Sequence, residues 1–478
     1  MSRRAMVWFR RDLRVHDNTA LDEAARRSTG GLVALWVVSP AEWRAHDDAP
    51  AKVDFWLRNL RELAKELAAR NIPLRVIAVE NARELPAAVL REARACGCDA
   101  VYWNREYEFD EARRDARVTQ ACEAVGVTAR SYHDRVAVPP EEVSTDQGGK
   151  YTVFTPFRRR WYAALARRGF ALRPAPPVQP AIEVESTPVP ARVEGFASPL
   201  GDTLWPAGET YAQARLAHFA SATLVRYHAQ RDLPALDGTS ALSPYLAAGV
   251  LSVRQCLAAA AAHNEGFVDV GGSGPVTWVS ELAWRDFYQH VMVAFPQVCK
   301  GRAFKADTEA VAWRSDPDGL ARWCEGRTGY PLVDAAMRQL VATGWMHNRL
   351  RMVTAMFLSK DLLVDWREGE RFFMRHLVDG DLGANNGGWQ WSASTGTDAQ
   401  PYFRVFNPSS QSRRYDPDGA FIRRYVPELA TVSLAALHEP ERITAEVRRL
   451  TGYAPRVVEH DVARVRAIEA FKGLARGA

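Results

Sequence analysis

Five short apolar runs, separated by amphipathic stretches, fill the first 135 residues of the chain, and the pattern does not recur afterwards. The runs are 5–9, 32–38, 74–79, 100–103 and 127–131. Each has strand length and is too short for a helix. Between them, 17–27, 51–70, 82–96 and 109–125 read as helices; Val53, Phe55, Trp56, Leu57 and Leu60 recur at the steps an amphipathic helix requires. Strand–helix alternation of this kind gives a doubly wound parallel sheet, so a five-stranded α/β domain is expected over 1–133. Such sheets bind ligands beyond the strand carboxyl ends. No G-x-G-x-x-G follows the first run, and there is no G-x-x-x-x-G-K-[ST], which argues against a standard dinucleotide or nucleoside triphosphate site there.

Residues 134–206 read as a connector. Prolines 174, 176, 177, 180, 188, 190, 199 and 206 punctuate it, and proline blocks helix interiors; one helix is expected near 154–168. From 207 to 478 the pattern is helical almost throughout, so the third segment is expected to be a large α-helical domain. At 478 residues and 47% hydrophobic, the chain can bury a sizeable cofactor. A formal charge of +5 permits contact with a phosphate backbone, but clusters such as Arg158-Arg159-Arg160 and Arg413-Arg414 are as readily solvated faces. The six cysteines include a C-x-C at 96–98 rather than paired zinc spacing, and no metal site is expected. With no leader-like segment or bilayer-length apolar run, a cytoplasmic monomer is expected.

Four constellations in the helical part carry chemistry. Around Thr239, Ser240, Ala241, Leu242 and Ser243, hydroxyls meet a helix start with Ser243 as expected N-cap, Pro244 in the first turn and Gly249 as stop; this suits an anion such as a diphosphate, or is a simple cap. Glu281, Trp284, Arg285 and Tyr288 share a helix face that can hold a planar polar ligand, or is an ion pair beside a core indole. In 344–352, Asn348 and Met352 share a face, as do His347 and Arg351; His347 alone reads as a core histidine. Residues 379–391 crowd two aspartates, two asparagines, four glycines and two tryptophans into thirteen positions, which packing does not explain.

The run Trp389-Gln390-Trp391-Ser392-Ala393-Ser394-Thr395-Gly396-Thr397-Asp398, continuing to 401–408, resembles the signature of the DNA photolyase/cryptochrome family. So do 328–334, 345–352, 365–370 and the start 7–14, in the family's order and over nearly the whole chain. Within the family the chain is most similar to class I cyclobutane pyrimidine dimer photolyases.

This resemblance implies FAD inside the helical domain. It implies that Tyr227 and 239–243 hold the phosphate and ribityl side, and that Arg285, Arg351, Asp379, Gly380 and Asp381 flank the ring and adenosine, with an Arg351–Asp379 ion pair. Asn385 would face flavin N5. Trp389, Trp366 and Trp313 match the family's electron-transfer tryptophans, proximal to surface. The lesion pocket would comprise Glu281, Trp284, Tyr288, Asn348, Arg349, Met352, Trp391 and Gln411, with Arg231 and Arg404 as further DNA contacts. Glu281 would hydrogen-bond a thymine carbonyl or N–H. The implied reaction is light-driven electron transfer from reduced FAD to a flipped-out pyrimidine dimer in UV-damaged DNA, splitting it without net redox change. The alternative is a cryptochrome-type blue-light photoreceptor; Asn348, Met352 and the Trp284/Trp391 pair favour dimer repair, as does the absence of a long tail after the last helical pattern. His46, Glu111, Cys299 and Lys300 match antenna-binding positions for 5,10-methenyltetrahydrofolate. Asp110 stands where those relatives carry asparagine, so 8-hydroxy-5-deazaflavin stays open.

Overall fold

The computed structural model describes residues 3–474. Five strands, β1 (Ala5–Trp8), β2 (Leu32–Val38), β3 (Leu74–Ala78), β4 (Ala100–Asn104) and β5 (Thr128–Tyr132), form one sheet of order β3-β2-β1-β4-β5. All pairings are parallel, with Ala5 opposite both Leu32 and Ala100. β1, β2 and β4 are buried along their whole length, as strands covered on both faces must be. The covering helices are α1 (Thr19–Arg27), α2 (Pro50–Ala68), α3 (Leu85–Ala95) and α4 (Phe109–Glu123). Each lies within three residues of the stretch whose periodicity foretold it.

The proline-rich segment covers an exposed edge. Thr187 N donates to Leu74 O at 2.8 Å beside β3, and Gln179 N to Arg70 O at 2.9 Å. Pairing the edge strand this way removes a template for aggregation. Helix α5 (Phe154–Arg168) interrupts the segment where expected. Just after β5, buried Asp134 accepts from Thr19 Oγ1 at 2.7 Å, from Arg254 at 2.7 Å and from Arg14.

The chain divides into two compact units. The first holds everything up to Val225 together with Ser240–Pro296 and Val378–Asp381; the second holds Arg226–Thr239, Gln297–Leu377 and the chain from Leu382 onward. The sheet and α6 (Ser273–Ala294) belong to the first. The second is helical, and α7 (Asn348–Met356), α8 (Trp366–Met374), α9 (Leu382–Ala393) and α10 (His460–Lys472) carry the residues that matter below. Its core includes Trp323, Trp366, Phe373 and Trp389, all buried. Among the described residues no helix is long and apolar enough to cross a membrane.

Candidate active site

In the first unit, α6 presents Glu281, Trp284, Arg285 and Tyr288 half-buried on one face, while Leu282, Ala283, Asp286 and Phe287 between them are buried. Helical spacing thus delivers the shared face read from the sequence. Trp284 lies flat on Phe154 of α5, with centroids 3.7 Å apart and planes 11° apart, and Tyr288 sits 5.7 Å away. One face of the indole is therefore covered. Arg158, one turn along α5, lies 5.7 Å over Phe154 and donates to Ser280 Oγ at 3.1 Å. Sequence reasoning missed Phe154 and offered Arg158 only as one of an arginine cluster; the signal for Phe154 was an aromatic at the head of a helix read as part of a connector.

Arg285 donates through Nη1 to the Arg135 carbonyl oxygen. Burial, then the nearby Arg135 charge, lowers its pKa. Arg135 in turn pairs with Asp381, and with Glu108 at 3.3 Å. Asp381 also accepts from Gln289 Nε2 at 3.1 Å. Asp381 is thus ion-paired within the first unit, by a partner 246 positions away that no local motif reveals.

The 240–243 turn corrects one expectation. Leu242, not Ser243, stands at the N-cap, and Ser243 is the first residue of a five-residue helix, Ser243–Ala247. Ala241 takes a left-handed φ of 46°, and Leu242 then already has near-helical angles, so the helix starts one residue early. Gly249, with φ of 67°, ends the segment as expected. A left-handed residue followed by a right-handed one turns successive N–H groups to one side, the arrangement of an anion-binding nest; here the Leu242 N–H is donated to Ser240 Oγ at 3.4 Å.

His46 follows β2, and Asp110 and Glu111 follow β4, at the carboxyl side of the sheet. His46 Nδ1 lies 3.5 Å from Glu111, and Nε2 lies 4.0 Å from Asp110. Burial, then Glu108, raises the Glu111 pKa to about 7. Glu42, unforeseen, completes a trio with His46 and Glu111 whose ligand atoms lie within 4.8 Å of one another, although it also meets Arg114 at 3.2 Å. Cys299 and Lys300 belong to the second unit.

In the second unit, His347 is not inside α7 but caps it: Nδ1 accepts the Arg349 N–H at 3.2 Å. Burial lowers its pKa to about 4, so the ring is neutral at neutral pH. Asn348 is exposed and Met352 half-buried one turn later, on the same face. Arg349 is largely committed: it donates to Asp232 at 2.9 and 3.2 Å and to Met352 Sδ at 3.5 Å, and lies 4.7 Å over Tyr415. Arg351 donates to Met346 O at 2.8 Å. Arg231 lies 5.4 Å over buried Tyr227. Arg404 is exposed, and the Gln411 Oε1 is buried without a hydrogen-bond partner among the described residues.

On α9, Asn385 and Trp389 are one turn apart and buried, whereas Trp391 is half-buried. Trp389 packs edge-on to Phe373 at 5.0 Å and to Trp323 at 5.9 Å. Gly369 of α8 makes room for it: a Cβ there would lie 2.0 Å from the indole. Trp366 is buried, with Arg367 4.8 Å above its ring. Half-buried Trp313 packs against the same core and meets Phe471 at 6.0 Å. Trp323 was not singled out from the sequence, since nothing around it resembles a motif.

These donor sets suit a flavin. Asn385 Nδ2 donates to Glu370 O at 3.0 Å and to Glu370 Oε1 at 3.2 Å. Both partners are acceptors, which fixes the amide's orientation and leaves Oδ1 as an acceptor toward any ligand. A reduced isoalloxazine carries N5–H, the matching donor. The 240–243 nest matches a diphosphate, and the buried oxygen of Gln411 matches an N–H such as a pyrimidine imide supplies.

Comparison with known proteins adds the following. Residues 5–181 match the family model described as DNA photolyase, and residues 278–473 match that described as the FAD binding domain of DNA photolyase. The deoxyribodipyrimidine photo-lyase of Escherichia coli is 44% identical, and that of Salmonella typhimurium 43%, each alignment covering 99% of both chains. Among solved structures, a bacterial class III photolyase from Agrobacterium tumefaciens aligns with a TM-score of 0.87 at 32% identity, covering 100% of this chain and 98% of that one. A cryptochrome from Synechocystis aligns at 0.85 and 26%, covering 98% and 99%.

Proposed function

The chain belongs to the DNA photolyase family, and from that premise we propose that it is a deoxyribodipyrimidine photo-lyase, splitting cyclobutane pyrimidine dimers in UV-damaged DNA under blue or near-UV light. The observation that carries this is the full-length likeness to named photo-lyases, joined to a chain in which Glu281, Trp284, Asn348, Met352 and Trp391 all keep some exposure.

When bound and reduced, FAD supplies the light-absorbing electron donor, since cofactors carry chemistry that side chains cannot. The residues that would bind it are, in the first unit, Ser240–Ser243, Arg285, Asp379, Gly380 and Asp381. In the second they are Tyr227, Thr239, Arg351 and Asn385. The Asn385 oxygen, oriented by Glu370, would accept the N5 proton's hydrogen bond and so favour the reduced ring. Arg135 and Gln289 hold Asp381 in place.

Photolyases take their target out of the base stack, and a lesion lowers the cost because it is already poorly stacked. In this reading the face of Trp284 turned away from Phe154, and Trp391, pack on the dimer. Glu281 and Asn348 bond its polar edges, with Met352 alongside. Phe154 supports Trp284 from behind, a fixed backing that keeps the stacking surface in place. Arg231 and Arg404 contact phosphates, which positions DNA and makes affinity fall with salt. Trp389, Trp366 and Trp313 carry electrons inward when an oxidised flavin must be reduced. His46, Asp110, Glu111, Cys299 and Lys300 hold an antenna chromophore, 5,10-methenyltetrahydrofolate in preference to 8-hydroxy-5-deazaflavin. The six cysteines are all free, which suits a reducing compartment such as the cytoplasm; the protein is proposed to act there as a monomer.

The test is dimer-containing DNA mixed with the FAD-loaded, reduced protein, in light and in darkness. Dimers should disappear only in light. Persistence of dimers in light, with the flavin bound and photoreducible, would overturn repair in favour of the photoreceptor reading.

A further inference from the structure

Directly after α7, residues Phe357–Asp361 form a single π-helical turn, a departure often found at functional positions. It carries two adjacent ionisable residues, Lys360 and Asp361, both 0% exposed. Asp361 accepts from His460 Nδ1 of α10 at 2.6 Å, and its backbone oxygen accepts from Arg466. Lys360 is different. Its Nζ is buried, has no hydrogen-bond partner among the described residues, and rests 3.5 Å from the centre of the Phe471 ring. One ring face does not replace the hydration that a buried ammonium gives up. Burial, and then the like charge of Lys305, lowers its pKa to about 7. On α10, His460 and Arg466 are engaged with Asp361, while Asp461, Arg464, Glu469 and Lys472 are exposed. On α8, Arg367 pairs with Glu309 and Asp365, Arg371 with Glu368, and Glu370 accepts from Asn385. On α7, Arg349 pairs with Asp232 and Arg351 donates to Met346 O. The Tyr402 ring stacks on Phe471 at 6.1 Å.

Phe471 also packs edge-on to Trp313, at 6.0 Å. With the 3.5 Å below the ring, the amine lies within about 10 Å of Trp313. We propose that Lys360 is a positioning residue for light-driven reduction of the flavin, its buried amine beneath Phe471 governing whether a positive hole can rest on Trp313. This rests on the reading of Trp313 as the outer member of the tryptophan series. One electron leaves the Trp313 indole and fills the hole on Trp366. Trp313 keeps the positive charge until an external thiol returns an electron, the thiol becoming a thiyl radical and its proton going to water. Within the protein no bond forms or breaks. If Lys360 were charged, two like charges within about 10 Å would disfavour the hole on Trp313 on the order of tenfold.

The experiment is flash photolysis of the protein loaded with oxidised FAD, without thiol, at pH 6 and pH 8, following the tryptophan radical. In the wild type, recombination should slow on the order of tenfold from pH 6 to pH 8. In Lys360→Met, whose side chain has similar length, the pH 6 trace should already match the wild type at pH 8. Trp313→Phe should lose the long-lived radical. If Trp313→Phe keeps it, the electron-transfer reading itself fails. If Trp313→Phe loses it while the wild type shows no pH dependence, or Lys360→Met retains it, Lys360 is only structural and the proposal falls. Urea unfolding of the FAD-loaded proteins gives an independent readout. Lys360→Met should be the more stable at pH 7, by a margin that narrows toward pH 10 as the unfolded lysine also loses its proton. A margin independent of pH would overturn the depressed ionisation on which the proposal stands.

Discussion

Gly369→Ala tests whether Trp389 is held by close approach of α8 and α9. A Cβ at 369 would lie 2.0 Å from Trp389 Cη2, 2.5 Å from Cζ3 and 2.6 Å from Leu358 Cδ2. Ordinary carbon contacts need about 3.5–4.0 Å, so the indole must retreat by more than an ångström. It has nowhere to go, because Phe373 and Trp323 pack on it at 5.0 and 5.9 Å. Overpacking of this kind costs about 1–3 kcal/mol. Alanine's better helix propensity returns at most about 1 kcal/mol. The expected outcome is a net loss of roughly 1–2 kcal/mol in urea unfolding. Flavin photoreduction under blue light with thiol should slow much more than this loss of stability implies, since the displaced ring is the proposed proximal electron donor. Photoreduction at the wild-type rate in a destabilised Gly369→Ala protein would refute Trp389 as that donor. Unchanged stability would refute the close approach itself.

Three further outcomes follow from named contacts. Glu281→Ala should lower repair yield while flavin content stays normal, measured by dimer loss and by flavin absorbance; loss of flavin would place Glu281 on the wrong ligand. Trp366→Phe should slow photoreduction yet leave repair intact once the flavin is reduced chemically, and a large repair defect under those conditions would contradict its role. Asp134→Asn takes from buried Arg14 its ion-pair partner and from Arg254 one of two, Asp17 at 2.9 Å being the other, and should cost about 3–5 kcal/mol at neutral pH. Burial pushes the Asp134 carboxyl up, but Arg14 and Arg254 more than reverse this and hold it below the usual range. Its stabilisation is therefore full above the unfolded value near pH 4 and is lost as the pH falls below it. The gap between wild type and variant should close in acid; a gap constant down to pH 2 would refute the assignment.

What the sequence made legible was periodic or local. The three inner strands β1, β2 and β4 are apolar and buried on both faces, whereas the edge strands β3 and β5 carry Arg75 and Arg130 and are only partly buried, so strand length and spacing rather than polarity marked them. Residues 281–288 shared a face because a helix repeats every three to four residues. Cap geometry was less legible: Ser243 looks like an N-cap, but the left-handed turn at Ala241 moved the helix start, and His347 turned out to cap α7 through a ring nitrogen. Contacts made over long separations left no trace at all. Phe154 under Trp284, Arg135 on Asp381, and Lys360 under Phe471 each join residues more than a hundred positions apart. A buried lysine in particular reads, in sequence, like any surface charge.

The most direct test of the central claim is stoichiometric. The FAD-loaded protein is reduced once, freed of reductant and oxygen, and given excess dimer-containing DNA under steady blue light, with dimers and flavin spectrum followed together. Splitting without net redox change predicts many dimers removed per flavin while the flavin stays reduced. Dimer loss that stops at one per flavin, or a flavin oxidised in step with it, would contradict the account.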